Sequence, residues 1–197
     1  MKIKVRLKEL FHHDLLKGEK LERKKINGVR HYLSPTGIWL KSVTSVLGDY
    51  YDDGSLQKWR DRVGQKEADH ISNQAASRGT KLHNTLENIV LNQEVDLSKL
   101  MPPTRIHINQ IRKQFEKHIT SVRGVEIPLW SDSLKTAGTA DLLAEWDGYL
   151  AVLDYKTSAK PKKEEWIEKY FVQSSTYAKM VQERFNLDVK YIIIIIE

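Results

Sequence analysis

Two apolar-rich runs, residues 139–146 and 149–156, are separated by Asp147-Gly148 alone. An Asp-Gly link between such runs predicts a β-hairpin, because the favoured two-residue turn needs positive φ at both positions. The turn then sets the register. Trp146 faces Tyr149, Leu143 faces Val152, and Asp141 faces Asp154; alternation puts Lys156 on the face of Asp154. A further strand is expected at 125–130. The unbroken apolar run Ile192–Ile196 predicts a strand buried on both faces, in the middle of a mixed sheet.

Helical periods dominate the first half. Ser42 or Thr44 caps a short helix through Val46 and Leu47, ended by Gly48, and Ser55 opens another, stopped by Gly64. A longer helix is expected over 65–77, interrupted at Arg78-Gly79, with Thr80 capping a new one to about residue 91. Ile108, Ile111, Phe115, Ile119 and Val122 form one apolar stripe that predicts a helix ending before Gly124. After Pro161 a long helix is expected over about 163–186. Near the start, residues 2–7 alternate like a strand, and 11–30 are charge-rich without a period, read as an irregular arm. The turn Ser34-Pro35-Thr36-Gly37 joins two short strands. The order is an α+β or α/β fold with a mixed sheet.

A chain of 197 residues suits one domain. Its expected parts are an N-terminal arm with strands (1–41), a helical part (42–123), and a sheet with its helix (124–197). Cysteine is absent, which excludes disulfides, cysteine-held clusters and a thiol nucleophile. Its absence fits a reducing intracellular compartment such as the cytoplasm. No run approaches a membrane span, no signal-peptide core stands at the N-terminus, and no glycine-rich phosphate loop of the ATPase type is present. A net charge of +6 favours a polyanionic partner without specifying one.

The chemistry concentrates in a few places. Side chains directly opposed in a hairpin lie about 5 Å apart, and like charges there are destabilising. Asp141 and Asp154 so placed, with Lys156 beside them, read either as a solvated acid pair or as two ligands of a divalent ion with an ammonium next to it. His83 and Glu87 share a helix face, as a surface pair or as a metal ligand with its orienting carboxylate. Trp166, Tyr170, Gln173 and Tyr177 line one face of the long helix; aromatics there pack on a sheet, but Gln173 needs polar partners. Trp59, Arg60 and Arg78 read equally as core and solvated cations or as groups that stack a base and hold phosphates.

Taken together these residues resemble a known family. Asp141 followed by Asp154-Tyr155-Lys156 resembles the acid-x-(Asp/Glu)-x-Lys signature of the PD-(D/E)XK nucleases. Arg78-Gly79-Thr80-Lys81-Leu82-His83 with Glu87 resembles the upstream histidine motif of their RecB-like exonuclease branch. Gly138-Thr139-Ala140-Asp141 is similar to that branch's Gly-x-x-Asp, and Gln173 to Tyr177 to its Gln-x-x-x-Tyr. The stretch 42–47, with Trp59-Arg60 and Gly64, is similar to the mitochondrial genome maintenance exonucleases and their phage relatives. The likeness spans roughly residues 30–180. No proline precedes Asp141, and the iron–sulfur cysteines of some RecB-like members are missing.

The resemblance implies a restriction-endonuclease-like core with a helical insert before the sheet, and metal-dependent hydrolysis of DNA, as an exonuclease on single-stranded ends. It implies one or two Mg²⁺ or Mn²⁺ ions on Asp141, Asp154, the Tyr155 carbonyl and His83. Lys156 would act on the attacking water, and Gln173 would position water or phosphate. Arg78, Trp59, Arg60, Tyr177 and Glu87 would contact the nucleic acid. The same core also serves sequence- or structure-specific endonucleases, and a nuclease-like module that binds without cutting is the alternative from another class.

Overall fold

Asp147 and Gly148 both adopt left-handed backbone, φ 51° and 82°, in a computed structural model that describes residues 10–197. They join β5 (Thr136–Trp146) to β6 (Tyr149–Lys156), with Trp146 opposite Tyr149 and Leu143 opposite Val152. The expected register therefore holds through Leu142–Leu153, and there the ladder stops. The directly opposed Asp141–Asp154 pair is not formed. The alternating run at 2–7 lies outside the described residues.

Before this hairpin come β1 (Glu22–Ile26), β2 (Val29–Leu33), β3 (Trp39–Ser42), α1 (Val43–Tyr50), α2 (Ser55–Val63), α3 (Gln65–Val90), α4 (Pro102–His118) and β4 (Ile119–Ser131). After it come α5 (Glu168–Phe185) and β7 (Tyr191–Ile196), with 3-10 turns at Leu97–Lys99 and Glu164–Trp166. The strands form one mixed, seven-stranded sheet. α3 and α4 cover one face through Leu82, Leu86, Ile89, Ile108 and Phe115. α5 covers the other through Tyr177, Met180 and Val181.

β5 organises this sheet. One of its edges pairs with β4 from Ile119–Trp146 to Ser131–Thr136. Its opposite edge is divided: Thr136 and Ala137 pair in parallel with Lys41 and Ser42 of β3, while residues 142–146 pair with β6. Between them, residues 138–141 meet no strand on that edge among the described residues. The sheet is split there, and the split holds the Gly-x-x-Asp stretch.

Several elements differ from their expected form. The arm at 11–30 contains β1, turned into β2 by Asn27-Gly28 with φ 51° and 78°, so this Asn-Gly is a second hairpin signal inside a charged stretch. α3 does not break at Gly79. Thr80 donates its hydroxyl to the Ala76 carbonyl at 3.0 Å instead of capping, and buried contacts on both sides outweigh a single interior glycine, which costs about 1 kcal/mol. α1 likewise runs through Gly48. Ile119 and Val122 belong to β4, although they pack in the same cluster as Ile108 and Phe115, which makes one stripe of two elements. Trp166 sits in the 3-10 turn, half-exposed, off the α5 row. β7 is parallel to β6 at the sheet's rim and only half-buried. Its apolar run reflects two covered faces: Ile193 and Ile195 pack on the α3–α4 cluster, and a central position is not needed for that.

Candidate metal and phosphodiester site

Side-chain alternation slips at two adjacent points beside the split. On β5, Ala140 and Leu143 pack under α5 while Leu142 packs under α3, so the two-residue period fails between 140 and 143. On β4, Val125 packs under α3 and Ile127 under α5, and Glu126 between them has a left-handed φ of 45°. Such backbone is costly for a residue with a side chain and marks a place to look for function. The slips turn the carboxylates of Asp141 and Glu126 toward His83 of α3. Asp141 Oδ1 is 3.5 Å and Glu126 Oε1 3.9 Å from His83 Nδ1.

Two strong hydrogen bonds fix this corner. His83 Nε2 donates to the Tyr155 carbonyl at 3.0 Å, and the Tyr155 amide donates to Asp141 Oδ2 at 2.7 Å. The Tyr155 ring is buried against Phe115 and the edge of His83. The tyrosine of Asp-Tyr-Lys thus serves by its backbone at the site and by its side chain in the core.

Asp154 is held differently. It is 2 % exposed, accepts from Gln173 Nε2 at 2.8 Å, and is ion-paired with Lys156. Burial pushes its carboxyl up to about 6, against the opposing pull of Lys156 and with a further push from Asp141. Gln173 therefore has the polar partner that its buried position requires. Tyr177, one turn on, packs its ring and hydroxyl against Gly138, where an added Cβ would stand 2.7 Å from the tyrosine oxygen. Burial raises the Tyr177 phenol, which stays neutral.

His83, Glu126 and Asp141 each offer a ligand atom within 4.8 Å of the others. This set of one imidazole nitrogen and two carboxylates, with the Tyr155 carbonyl alongside, suits a hard divalent cation. The site also behaves as one that draws positive charge. Hydrogen bonding to Asp141 and Glu126 holds the His83 imidazolium up to about 10, so a protonated ring supplies the cation. The donor set fits a metal. Glu87, one helical turn from His83, has its carboxyl raised by burial and by the Glu126 charge.

A cleft of about 250 Å³ collects Asp141, Lys156, His83, Glu126, Gln173 and Tyr177 around the split. The remaining expected contacts stand apart from it. Arg60 lines a neighbouring groove beside α5 and is ion-paired with Asp69 at 2.9 Å; Trp59 is half-buried on α2. Arg78 is exposed and lines a separate cleft between α3 and α4.

Residues 97–192 match the sequence profile of the PD-(D/E)XK nuclease superfamily, and they contain Asp141, Asp154, Lys156, Glu126 and Gln173. The chain belongs to the PD-(D/E)XK nuclease superfamily. Its mixed sheet with flanking helices is consistent with that fold, and nucleases of this superfamily use divalent metal ions. The chain is 30 % identical over 111 residues to mitochondrial genome maintenance exonuclease 1 of Mus musculus, covering 54 % of this chain and 32 % of that protein. It is 27 % identical over 111 residues to the Homo sapiens protein of the same name, with the same coverage. It spans about a third of the length of these curated relatives.

Glu126 is the member of the His83, Glu126 and Asp141 cluster that sequence reasoning missed. The β4–β5 connection is a four-residue loop, so no two-residue turn fixed the register that brings Glu126 opposite Asp141. A lone charge in the apolar run Val125–Trp130 was the available signal.

Proposed function

We propose that this chain hydrolyses phosphodiester bonds of DNA with a bound Mg²⁺ or Mn²⁺, working from the free ends of single strands. The observation that carries the reading is the convergence of His83, Glu126 and Asp141 on one point of a cleft that also presents Lys156. His83, Asp141, Glu126 and the Tyr155 carbonyl would hold the ion, with Asp154 turning to it from its contact with Lys156. The ion, when bound, supplies Lewis acidity and a template for in-line attack.

The chain's own groups do the rest. Lys156, on the strand that carries Asp154, orients the attacking water and offsets charge growing on the phosphate oxygens. Gln173 donates to one oxygen of the Asp154 carboxylate and so limits how that group can turn. Tyr177 is a neutral hydroxyl against the Gly138 backbone and presents a donor at the cleft wall.

The relatives named as exonucleases support attack from ends. End-labelled linear single strands, linear duplex and covalently closed single-stranded circles, each with Mg²⁺, Mn²⁺ or EDTA, test the reading. Loss of label from linear single strands only with metal is the expected result. Turnover in EDTA would remove the metal from the reading, and rapid cutting of circles would replace exonuclease with endonuclease.

A further inference from the structure

The wall of the cleft that faces α3 and α5 is built by a hairpin outside the stretch that matches the superfamily. Arg23 and Arg30, from β1 and β2, line the same cleft as Asp141 and Lys156. The register explains how. Arg23 lies opposite Tyr32, and Arg30 opposite Lys25, so Arg23, Lys25, Arg30 and Tyr32 share one face of the hairpin. Tyr32 is buried and anchors that face on Leu40 and Trp130. Through β3, Arg30 stands about 10 Å across the sheet from Ala137, two strand spacings away.

Neither guanidinium is ion-paired among the described residues, and Lys25, opposite Arg30, adds a third cation to the same face, whereas other cations are taken. Lys24, on the other hairpin face, sits 3.6 Å over the Trp39 ring. Arg60 pairs with Asp69, Arg123 with Asp14 and Glu145, and Arg184 stacks on Trp130. Arg23 and Arg30 meet no carboxylate among the described residues. Opposite them the cleft floor carries the carboxylates of Asp141 and Glu126. A phosphodiester approaching those carboxylates is repelled by them, and a cation pair on the rim offsets that repulsion. Two planar forks on one rigid hairpin suit the oxygens of a phosphate.

We propose that Arg23 and Arg30 clamp the backbone phosphate next to the scissile one, making the N-terminal hairpin the part of this chain that grips the strand. The clamp rests on the nuclease reading for its substrate, and it relocates the grip from Arg60 and Arg78 to the hairpin. It holds sugar-phosphate backbone and reads no base.

The test compares wild type with the double variant Arg23→Gln/Arg30→Gln and with the charge-matched control Lys113→Gln/Lys117→Gln on the exposed face of α4. Binding of a fluorescein-labelled oligodeoxythymidylate is followed by anisotropy in EDTA over a range of salt. Expected for the arginine variant is at least tenfold weaker binding and a salt slope shallower by about 0.7 or more, the value for one single-strand phosphate. The control keeps the wild-type slope. Arg23→Lys/Arg30→Lys restores the slope while recovering only part of the affinity, since lysine cannot bind bidentately. In Mg²⁺ the glutamine pair raises KM far more than it lowers kcat. An arginine variant that matches wild type in affinity and slope, or a control that falls equally, overturns the clamp, as does wild-type protein that ignores the oligonucleotide. If wild type binds but cuts nothing in Mg²⁺ or Mn²⁺, hydrolysis has failed, and the anisotropy comparison still decides the clamp.

Discussion

The carboxylate of Asp141 accepts the backbone N–H of Tyr155 at 2.7 Å, one step beyond the last β5–β6 pair. A side chain thus replaces the ladder where the sheet divides. The bond leaves Oδ1 free to face His83, so one carboxylate closes the fold and opens the site. The two duties separate by mutation. Asp141→Asn retains an oxygen acceptor and is expected to melt within about 1 kcal/mol of wild type while losing cleavage. Asp141→Ala orphans a buried amide and is expected to lose about 1–3 kcal/mol as well. Urea unfolding beside a cleavage assay checks both; equal stability of the two variants would mean that the amide finds water instead.

The Asp-Gly hairpin was legible because a two-residue turn fixes register by stereochemistry, and Asp154, Lys156 and Gln173 followed from local spacing. What the sequence hid is non-local. Asp141 reaches His83 only because the β4 and β5 alternation slips, and period-two reasoning has no means of seeing a slip caused by a partner strand. The same limit concealed Glu126. Arg78, expected at the nucleic acid, lies five residues before His83, and five residues along a helix turn a side chain to another face, here toward α4.

Glu126 is the sharpest test of that non-local reading. Glu126→Gln keeps the size of the side chain and removes one charge from the ligand cluster. The expected outcome is a Mn²⁺ affinity lower by about 10–100-fold in calorimetric titration, with cleavage largely recovered at saturating metal. Unchanged affinity would exclude Glu126 from the metal's coordination.

Gly138 and Tyr177 form a steric pair whose coupling is measurable. An alanine Cβ at 138 would stand 2.7 Å from the Tyr177 hydroxyl oxygen and 2.9 Å from a ring carbon. Gly138→Ala is therefore expected to cost about 1–3 kcal/mol by overpacking and to reduce cleavage by displacing α5. Tyr177→Phe removes the closest atom and should return part of the stability in the double variant. Strict additivity in a double-mutant cycle would show that the two residues do not touch.

Asp154 makes the metal-free protein's stability depend on pH in a stated direction. Its folded-state carboxyl lies at about 6, above the ordinary 3.8, so the folded chain holds that proton more tightly than the unfolded one. The contribution is present below about pH 4, and it is lost as pH rises to about 6 and beyond. Over that window the loss is of the order of 2–3 kcal/mol. Asp154→Asn removes the titration, so in EDTA it should exceed wild type in stability at pH 8 and lose that advantage at pH 4, as read by urea unfolding. The same variant should not cleave. Wild type proving the more stable at pH 8 would mean that the Lys156 ion pair outweighs burial. The expected ordering instead identifies Asp154 as a charge kept in the core at a cost to the fold, an arrangement that makes physical sense where a cation arrives to offset it.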